Sequence, residues 1–277
     1  MKSNLYKKKI ILSETGATKN ILRELKLHSV CEESRCPNIS ECFKKRTTTF
    51  LILGDICTRN CRFCSMKKGR PALVDYGEPS RVAEAVRMLG MDYVVITSVT
   101  RDDLPDGGAG IFRETVEEIR RAGFNGRIEV LIPDFNGDER AIETILSASP
   151  DVVSHNIETV QRLYTVLREK ADYNRSLGIL KNIKKLNPIQ KTKSGMMLGL
   201  EETEQEITET IKDVSVTACD FFSIGQYLAP EKISYPVQRY LTPEEFEYYK
   251  EKALDVGFLH VESGVYVRTS YNAAAYF

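Results

Sequence analysis

The chain has 277 residues, 42% of them hydrophobic, and its basic and acidic side chains balance at 39 Lys and Arg against 39 Asp and Glu. Such a balance argues against nucleic acid as the main ligand, and no apolar run approaches the roughly 18 residues of a membrane span. Before Ser13 the only apolar run is Ile10-Ile11-Leu12, too short for a secretory signal, so a cytoplasmic enzyme with neither membrane nor nucleic-acid partners is expected.

Along the chain, six short runs rich in β-branched and aromatic residues read as buried strands. They are residues 48–53 (TTFLIL), 93–97 (YVVIT), 128–132 (IEVLI), 151–154 (DVVS), 194–200 (SGMMLGL) and 221–225 (FFSIG). Amphipathic stretches between them predict helices at 80–89, 109–122, 138–147, 159–169, 174–186 and 204–216, several opened by N-cap residue types at Ser80, Asp138, Thr159 and Asn174. A βα alternation of this length builds a parallel sheet, and six units predict an α/β fold of the incomplete (β/α)6 barrel type, with its chemistry at the C-terminal ends of the strands. With no linker-like segment, the expectation is one partial barrel over 47–240, an N-terminal extension over 1–46 and a C-terminal extension over 241–277. The basic runs Lys7-Lys8-Lys9 and Lys44-Lys45-Arg46 read as solvated surface.

Six of the seven cysteines fall in two triplets, Cys31/Cys36/Cys42 (C-x4-C-x5-C) and Cys57/Cys61/Cys64 (C-x3-C-x2-C), the second directly after the first predicted strand. Three thiolates within eight residues can hold three corners of a [4Fe–4S] cube and leave the fourth iron open to another ligand. Zinc is the rival reading, but His28, His155 and His260 lack the spacing that would complete a tetrahedral site with either triplet. A disulfide scaffold does not suit a chain without a secretory signal. Cys219 stands alone and reads as a small buried hydrophobe.

The stretch C-T-R-N-C-R-F-C (57–64) resembles the signature of the radical S-adenosylmethionine (SAM) superfamily, in which an aromatic residue, here Phe63, precedes the last cysteine. The segments 31–43 (CEESRCPNISECF), 97–109 (TSVTRDDLPDGGA), 155–160 (HNIETV), 193–200 (KSGMMLGL), 225–230 (GQYLAP), 236–246 (PVQRYLTPEEF) and 267–271 (VRTSY) are similar to the lipoyl synthases within it. That resemblance implies a radical SAM partial barrel, with extensions covering an auxiliary cluster, that carries two [4Fe–4S] clusters and uses SAM. In such enzymes Cys57, Cys61 and Cys64 hold the SAM-binding cluster, and Cys31, Cys36 and Cys42 hold the auxiliary one with the motif serine, here Ser270, as its fourth ligand. It also implies insertion of two sulfur atoms, drawn from the auxiliary cluster, at carbons 6 and 8 of a protein-bound octanoyl chain. The implied partners are an octanoylated lipoyl carrier domain or H protein, a reductant such as a ferredoxin or flavodoxin, and an iron–sulfur carrier that rebuilds the cluster.

Thr269 stands where a serine is common in that family, so two adjacent hydroxyls compete for the ligand role. Other expectations are weaker in specificity. Asn156 and Glu158, after the fourth strand, and Arg175 and Lys193 are candidates to bind SAM, with Glu158 equally a helix cap and Lys193 equally part of a solvated basic segment with Lys184, Lys185 and Lys191. Arg101, Asp102 and Asp103 follow the second strand, where they orient the cofactor or are simply polar loop. His155 reads as an interior histidine, and Met196 and Met197 as packing residues. Alternatives at this level are another radical SAM sulfur-inserting enzyme and a non-catalytic iron–sulfur or zinc protein.

Overall fold

The computed structural model describes residues 8–276, so Lys7 and the outermost ends of the two predicted extensions lie outside it. The chain forms two compact units, one made of Lys8–Arg59 and Ser65–Val152, the other of Asn60–Cys64 and the chain from Val153 onward.

The first unit begins with helix α1 (Gly16–Glu24), strand β1 (His28–Ser29), and short helices α2 (Val30–Glu33) and α3 (Ile39–Lys44). Strand β2 (Thr49–Ile52) follows, buried at all four positions, then β3 (Ile56–Cys57) and β4 (Lys67–Lys68), which pair with each other. Helix α4 (Glu78–Leu89), strand β5 (Tyr93–Ser98), helix α5 (Ala109–Arg121), strand β6 (Arg127–Leu131) and helix α6 (Glu139–Ser147) complete it. Strands β2, β5 and β6 are neighbours and parallel, with Thr49 opposite Val95 and Tyr93 opposite Arg127, and β1 closes the β2 edge antiparallel. Their apolar runs match this placement, since strands covered by helices carry continuous rather than alternating hydrophobics. Helices α4 and α5 pack together, as do α5 and α6. Phe112, Val116 and Ile119 recur on one face of α5 and are buried with Ile96, Ile128 and Val130 of the strands. Truncating Phe112 to alanine would cost about 3–5 kcal/mol.

Strand β7 (Val152–Ser154) carries the chain into the second unit. There the structure corrects the helix expected over 159–169, which is a 3-10 turn (Gln161–Leu163) followed by the single-turn helix α7 (Tyr164–Leu167). The cause is pairing with a distant segment: Glu158 has a φ of 66°, its N–H donates to Gly195 O, and its carbonyl accepts from Met197 N, so the segment pairs like a strand before it can coil. Thr159 therefore caps nothing. Helix α8 (Tyr173–Leu186) is capped by Asp172, whose carboxylate accepts from Arg175 N, rather than by Asn174, and α4 starts at the Gly77 cap rather than at Ser80. Asp138 caps α6 as expected.

Strands β8 (Lys191–Leu198), β9 (Phe221–Gln226) and β10 (His260–Gly264) are parallel neighbours, with Lys193 and His260 both opposite Phe221. Helix α9 (Glu204–Ser215) joins β8 to β9, and helix α10 (Pro243–Asp255) joins β9 to β10. Each opens with a capping box, Thr203 with Glu206 and Thr242 with Glu245. Neither β10 nor α10 stands out in the sequence. The core of this unit joins Leu180, Leu198, Ile211, Phe222 and Phe246, with Cys219 inside it and Phe63 packed against its margin. Among the described residues, no helix is long and apolar enough to cross a membrane.

Candidate active site

The triplet Cys31/Cys36/Cys42 lies within the first unit. Cys31 is in the first turn of α2, capped by Ser29, whose hydroxyl accepts from Glu32 N. Cys36 N donates to Cys31 O at 3.1 Å, folding the chain back between α2 and α3, and Cys42 sits on α3. Residues ahead of α1 brace that helix: Lys8 Nζ donates to Asn38 Oδ1 and Glu41 Oε2, both at 3.0 Å, and Ile11 N donates to Ser40 Oγ at 2.8 Å. The Thr18 hydroxyl donates to Phe43 O, and Lys44 pairs with Glu14. Of the described lysines in the two basic runs, Lys8, Lys44 and Lys45 are in ion pairs.

All three thiols are free of disulfides. Burial pushes the Cys31 thiol up to about 12 and the Cys42 thiol to about 11, and in each case the neighbouring Cys36 adds to the shift. Clustered thiolates are costly in a buried place unless cations neutralise them, and iron does so. A zinc ion, with bonds of about 2.3 Å, needs ligand atoms closer together than a cubane does. Among the described residues the one trio of ligand atoms within 4.8 Å is His28, Glu33 and Asp55, which contains no cysteine and in which Asp55 pairs with Lys67. Three soft sulfur donors are the ligand chemistry that an iron–sulfur cluster takes.

The second triplet is divided between the units by the fold. Cys57 ends β3 in the first unit, where its sulfur accepts from Arg59 N at 3.4 Å. Cys61 and Cys64 belong to the second unit, with Cys64 N on Cys61 O at 3.2 Å. Arg62 anchors that segment: its N–H donates to Leu167 O, its carbonyl accepts from Tyr235 N, and its guanidinium lies 5.4 Å from the Tyr235 ring centroid. All three thiols are partly exposed and lie in no disulfide.

In the first unit, Arg59 is the centre of a charged network that sequence reasoning missed. Its side chain is 5% exposed. It donates from Nε and Nη2 to Asp102 at 2.8 Å each, from Nη1 and Nη2 to Asp134 at 2.9 and 2.7 Å, and from Nη2 to Asn136 Oδ1 at 2.9 Å. Burial disfavours the cation, but the Asp102 and Asp134 carboxylates more than offset it, so Arg59 stays charged. Thr58 completes the connection by bonding Thr100 O and Asp102. The loop after β6 reaches Arg59 by bending through two left-handed non-glycine residues, Phe135 (φ 44°) and Asn136 (φ 53°), a conformation that persists only where the surroundings enforce it. The signals available were the Arg inside the cysteine motif and the D-F-N-G turn. Asp102 and Asn136 also line a cleft of about 480 Å³ with Thr100, Leu104 and Phe135. Arg101, by contrast, is a structural residue, bonded to Asp103, Leu53 O and Ala72 O.

In the second unit, Asn156 and Glu158 come together, Asn156 Nδ2 donating to Glu158 Oε1 at 3.1 Å. Burial raises the Glu158 carboxyl, against the opposing pull of Arg168 and the Asn156 hydrogen bond. Lys193 corrects the idea of a solvated basic segment: it is 1% exposed, with Nζ 4.5 Å from the Tyr276 ring centroid. Lys184 and Lys191 belong to that segment but share Asp220, at 2.6 and 3.0 Å. Arg175 is half-buried in the first turn of α8. Thr269 donates its hydroxyl to Asn156 Oδ1 at 3.0 Å, while Ser270, half-buried, makes no hydrogen bond among the described residues. His155 is buried, as expected.

Residues 51–214 match the Radical SAM superfamily. The lipoyl synthase of Caldicellulosiruptor saccharolyticus is 56% identical over 91% of this chain and 89% of its own length. That of Geotalea uraniireducens is 54% identical over 97% and 95%, and that of Geobacter metallireducens 51% over 99% and 97%. Among solved structures, the chain is similar in fold to methylornithine synthase (TM-score 0.55, 13% identity, 92% of this chain and 84% of that one). It is also similar to the FeFe-hydrogenase maturase of Carboxydothermus hydrogenoformans (TM-score 0.56, 12% identity, 93% and 76%). These likenesses bear out the open, mostly parallel α/β fold of radical SAM enzymes, which use a [4Fe–4S] cluster with SAM. With identity above half over nearly the whole length, the chain belongs to the lipoyl synthases, sulfur-inserting members of the radical SAM superfamily.

Proposed function

We propose that this protein converts an octanoyl chain, attached to a lysine of a lipoyl carrier domain or H protein, into a lipoyl group by replacing hydrogen with sulfur at carbons 6 and 8. The observation that carries the reading is a second cysteine triplet, Cys31, Cys36 and Cys42, gathered on the short helices α2 and α3 and the turn between them. When bound, the clusters and SAM supply a carbon-centred radical able to remove hydrogen from an unactivated C–H bond, and the sulfur to be inserted.

The chain's own residues then have distinct tasks. Cys57, Cys61 and Cys64 hold the SAM-binding cluster, and Arg59 and Arg62 fix the two halves of their loop. Phe63 packs that loop onto an apolar core. Glu158, Arg175 and Lys193 supply charge for the amino and carboxylate groups of SAM. Cys31, Cys36 and Cys42 hold the auxiliary cluster with Ser270, an oxygen donor among soft thiolates and so the ligand most readily released. The segments 1–46 and 241–277 act as the extensions that bring these ligands. A ferredoxin or flavodoxin is the reductant, and an iron–sulfur carrier rebuilds the spent cluster.

The test is anaerobic reconstitution and turnover with SAM, a strong reductant and an octanoyl-lysine peptide. The expected result is a brown protein with about eight irons and a dithiol product by mass spectrometry. SAM cleavage that leaves the octanoyl peptide untouched would assign a different acyl substrate, and a colourless zinc protein would end the reading.

A further inference from the structure

The C-terminal strap of the second unit runs over two glycines. After β10 the chain turns, Val267 N bonding Gly264 O at 3.1 Å, and passes Val267 O so close to Gly225 of β9 that any Cβ there would strike it. Arg268 Nη1 donates to that same carbonyl at 2.6 Å. The next contact is with β8: a Cβ on Gly195 would lie 2.9 Å from Thr269 Oγ1 and 3.2 Å from Asn156 Oδ1, and would collide with Ser223 Oγ. Ser223 is the register partner of Gly195. The strap therefore needs glycine at both crossings.

Tyr271 N donates to Arg268 O at 2.9 Å, so Arg268–Tyr271 is a turn whose central residues are Thr269 and Ser270. The hydroxyl of Thr269 is used: it donates to Asn156 Oδ1 at 3.0 Å. Asn156 has no freedom to decline the bond. Its Nδ2 already donates to Glu158 Oε1, which leaves its Oδ1, an acceptor, toward the threonine. The two hydroxyls that the sequence leaves equivalent are thus inequivalent in the fold, because to serve as an alkoxide ligand Thr269 would have to give up the proton that tethers the turn.

We propose that Thr269 is the positioning residue of the R-T-S-Y turn, its hydroxyl tied to Asn156 across Gly195 so that Ser270, and not Thr269, offers its hydroxyl to the auxiliary cluster. The proposal rests on Ser270 being the oxygen ligand. It also gives Asn156 a structural duty, with both ends of its amide committed within the protein.

The test uses the full chain reconstituted with 57Fe and read by Mössbauer spectroscopy, in which an oxygen-ligated iron of the auxiliary cluster is distinguished from thiolate-ligated iron. Parent, Ser270→Ala, Thr269→Ser, Thr269→Val and Gly195→Ala proteins are compared, with melting curves of the cluster-free proteins to establish that each folds. Losing a hydrogen bond of ordinary strength shifts a local equilibrium about fivefold. Thr269→Val, isosteric but without the hydroxyl, should therefore lower the ratio of oxygen-ligated to other unique iron about fivefold. Thr269→Ser should restore it. Gly195→Ala keeps both hydroxyls but fills the seat, and should reproduce the Thr269→Val spectrum. An unchanged oxygen-ligated iron in Thr269→Val would overturn the positioning role, and so would failure of Thr269→Ser to restore it. Persistence of that iron in Ser270→Ala, with its loss in Thr269→Val, would make Thr269 the ligand. Persistence in both would instead remove the Ser270 reading on which the proposal rests.

Discussion

Arg59 and Asp134 face each other in a two-pronged ion pair, Nη1 on Oδ2 at 2.9 Å and Nη2 on Oδ1 at 2.7 Å, with the Asp134 side chain fully buried. One partner lies inside the cysteine motif and the other in the loop after β6. Breaking a buried pair by removing one partner leaves an uncompensated charge and costs about 3–5 kcal/mol. Arg59→Ala should therefore destabilise the cluster-free protein by that order in urea unfolding, and Arg59→Lys, which cannot reproduce the fork, by a smaller but clear amount. Wild-type stability in Arg59→Ala would show that the network carries no energetic weight.

The two cysteine sets should separate by function. If Cys61 is a ligand of the SAM-binding cluster, as proposed, Cys61→Ala should abolish 5′-deoxyadenosine formation from SAM under reducing conditions. Cys36→Ala should leave that cleavage in place while eliminating the dithiol product. Chromatographic detection of 5′-deoxyadenosine and mass spectrometry of the peptide are the two readouts, and lipoyl formation by Cys36→Ala would contradict the division of labour.

A thiolate holds iron more firmly than an alkoxide does. Ser270→Cys should keep the full iron content, measured by elemental analysis, and yet slow sulfur insertion relative to the parent. Equal rates of product formation in the two proteins would mean that ligand release at this position does not limit the reaction.

Glu158 should make stability depend on pH in a defined direction. Burial raises its folded-state pKa above the ordinary value of 4.5, so its ionisation is penalised in the folded protein. The stability associated with its protonated form is complete below about pH 4.5 and is lost as pH rises through the raised value. Glu158→Gln, which cannot ionise and still offers an acceptor to Asn156, should match the parent near pH 4.5 and melt at a higher temperature than the parent at pH 8. A melting difference that is the same at both pH values would contradict the raised carboxyl.

Much of this protein is legible in its sequence because the deciding physics is local. The runs FLI, YVVIT and FFSIG all form strands, and apart from the half-buried Tyr93 they are buried as continuous apolar segments. Cysteine spacing likewise carries its own chemistry, since three thiolates close together in sequence can hold three corners of one cluster. What the sequence left undecided depended on partners far along the chain. Residues 159–169 have a helical pattern, but pairing of Glu158 with Gly195 and Met197 keeps their start extended. Lys193 sits in a lysine-rich segment and still points inward, because a strand sends alternate residues to opposite faces and Tyr276 covers this one. Arg59 became a structural anchor only when Asp102 and Asp134, 43 and 75 residues away, converged on it. Thr269 and Ser270 are chemically alike as neighbours in a motif, and a single hydrogen bond to Asn156, 113 residues distant from Thr269, makes them different.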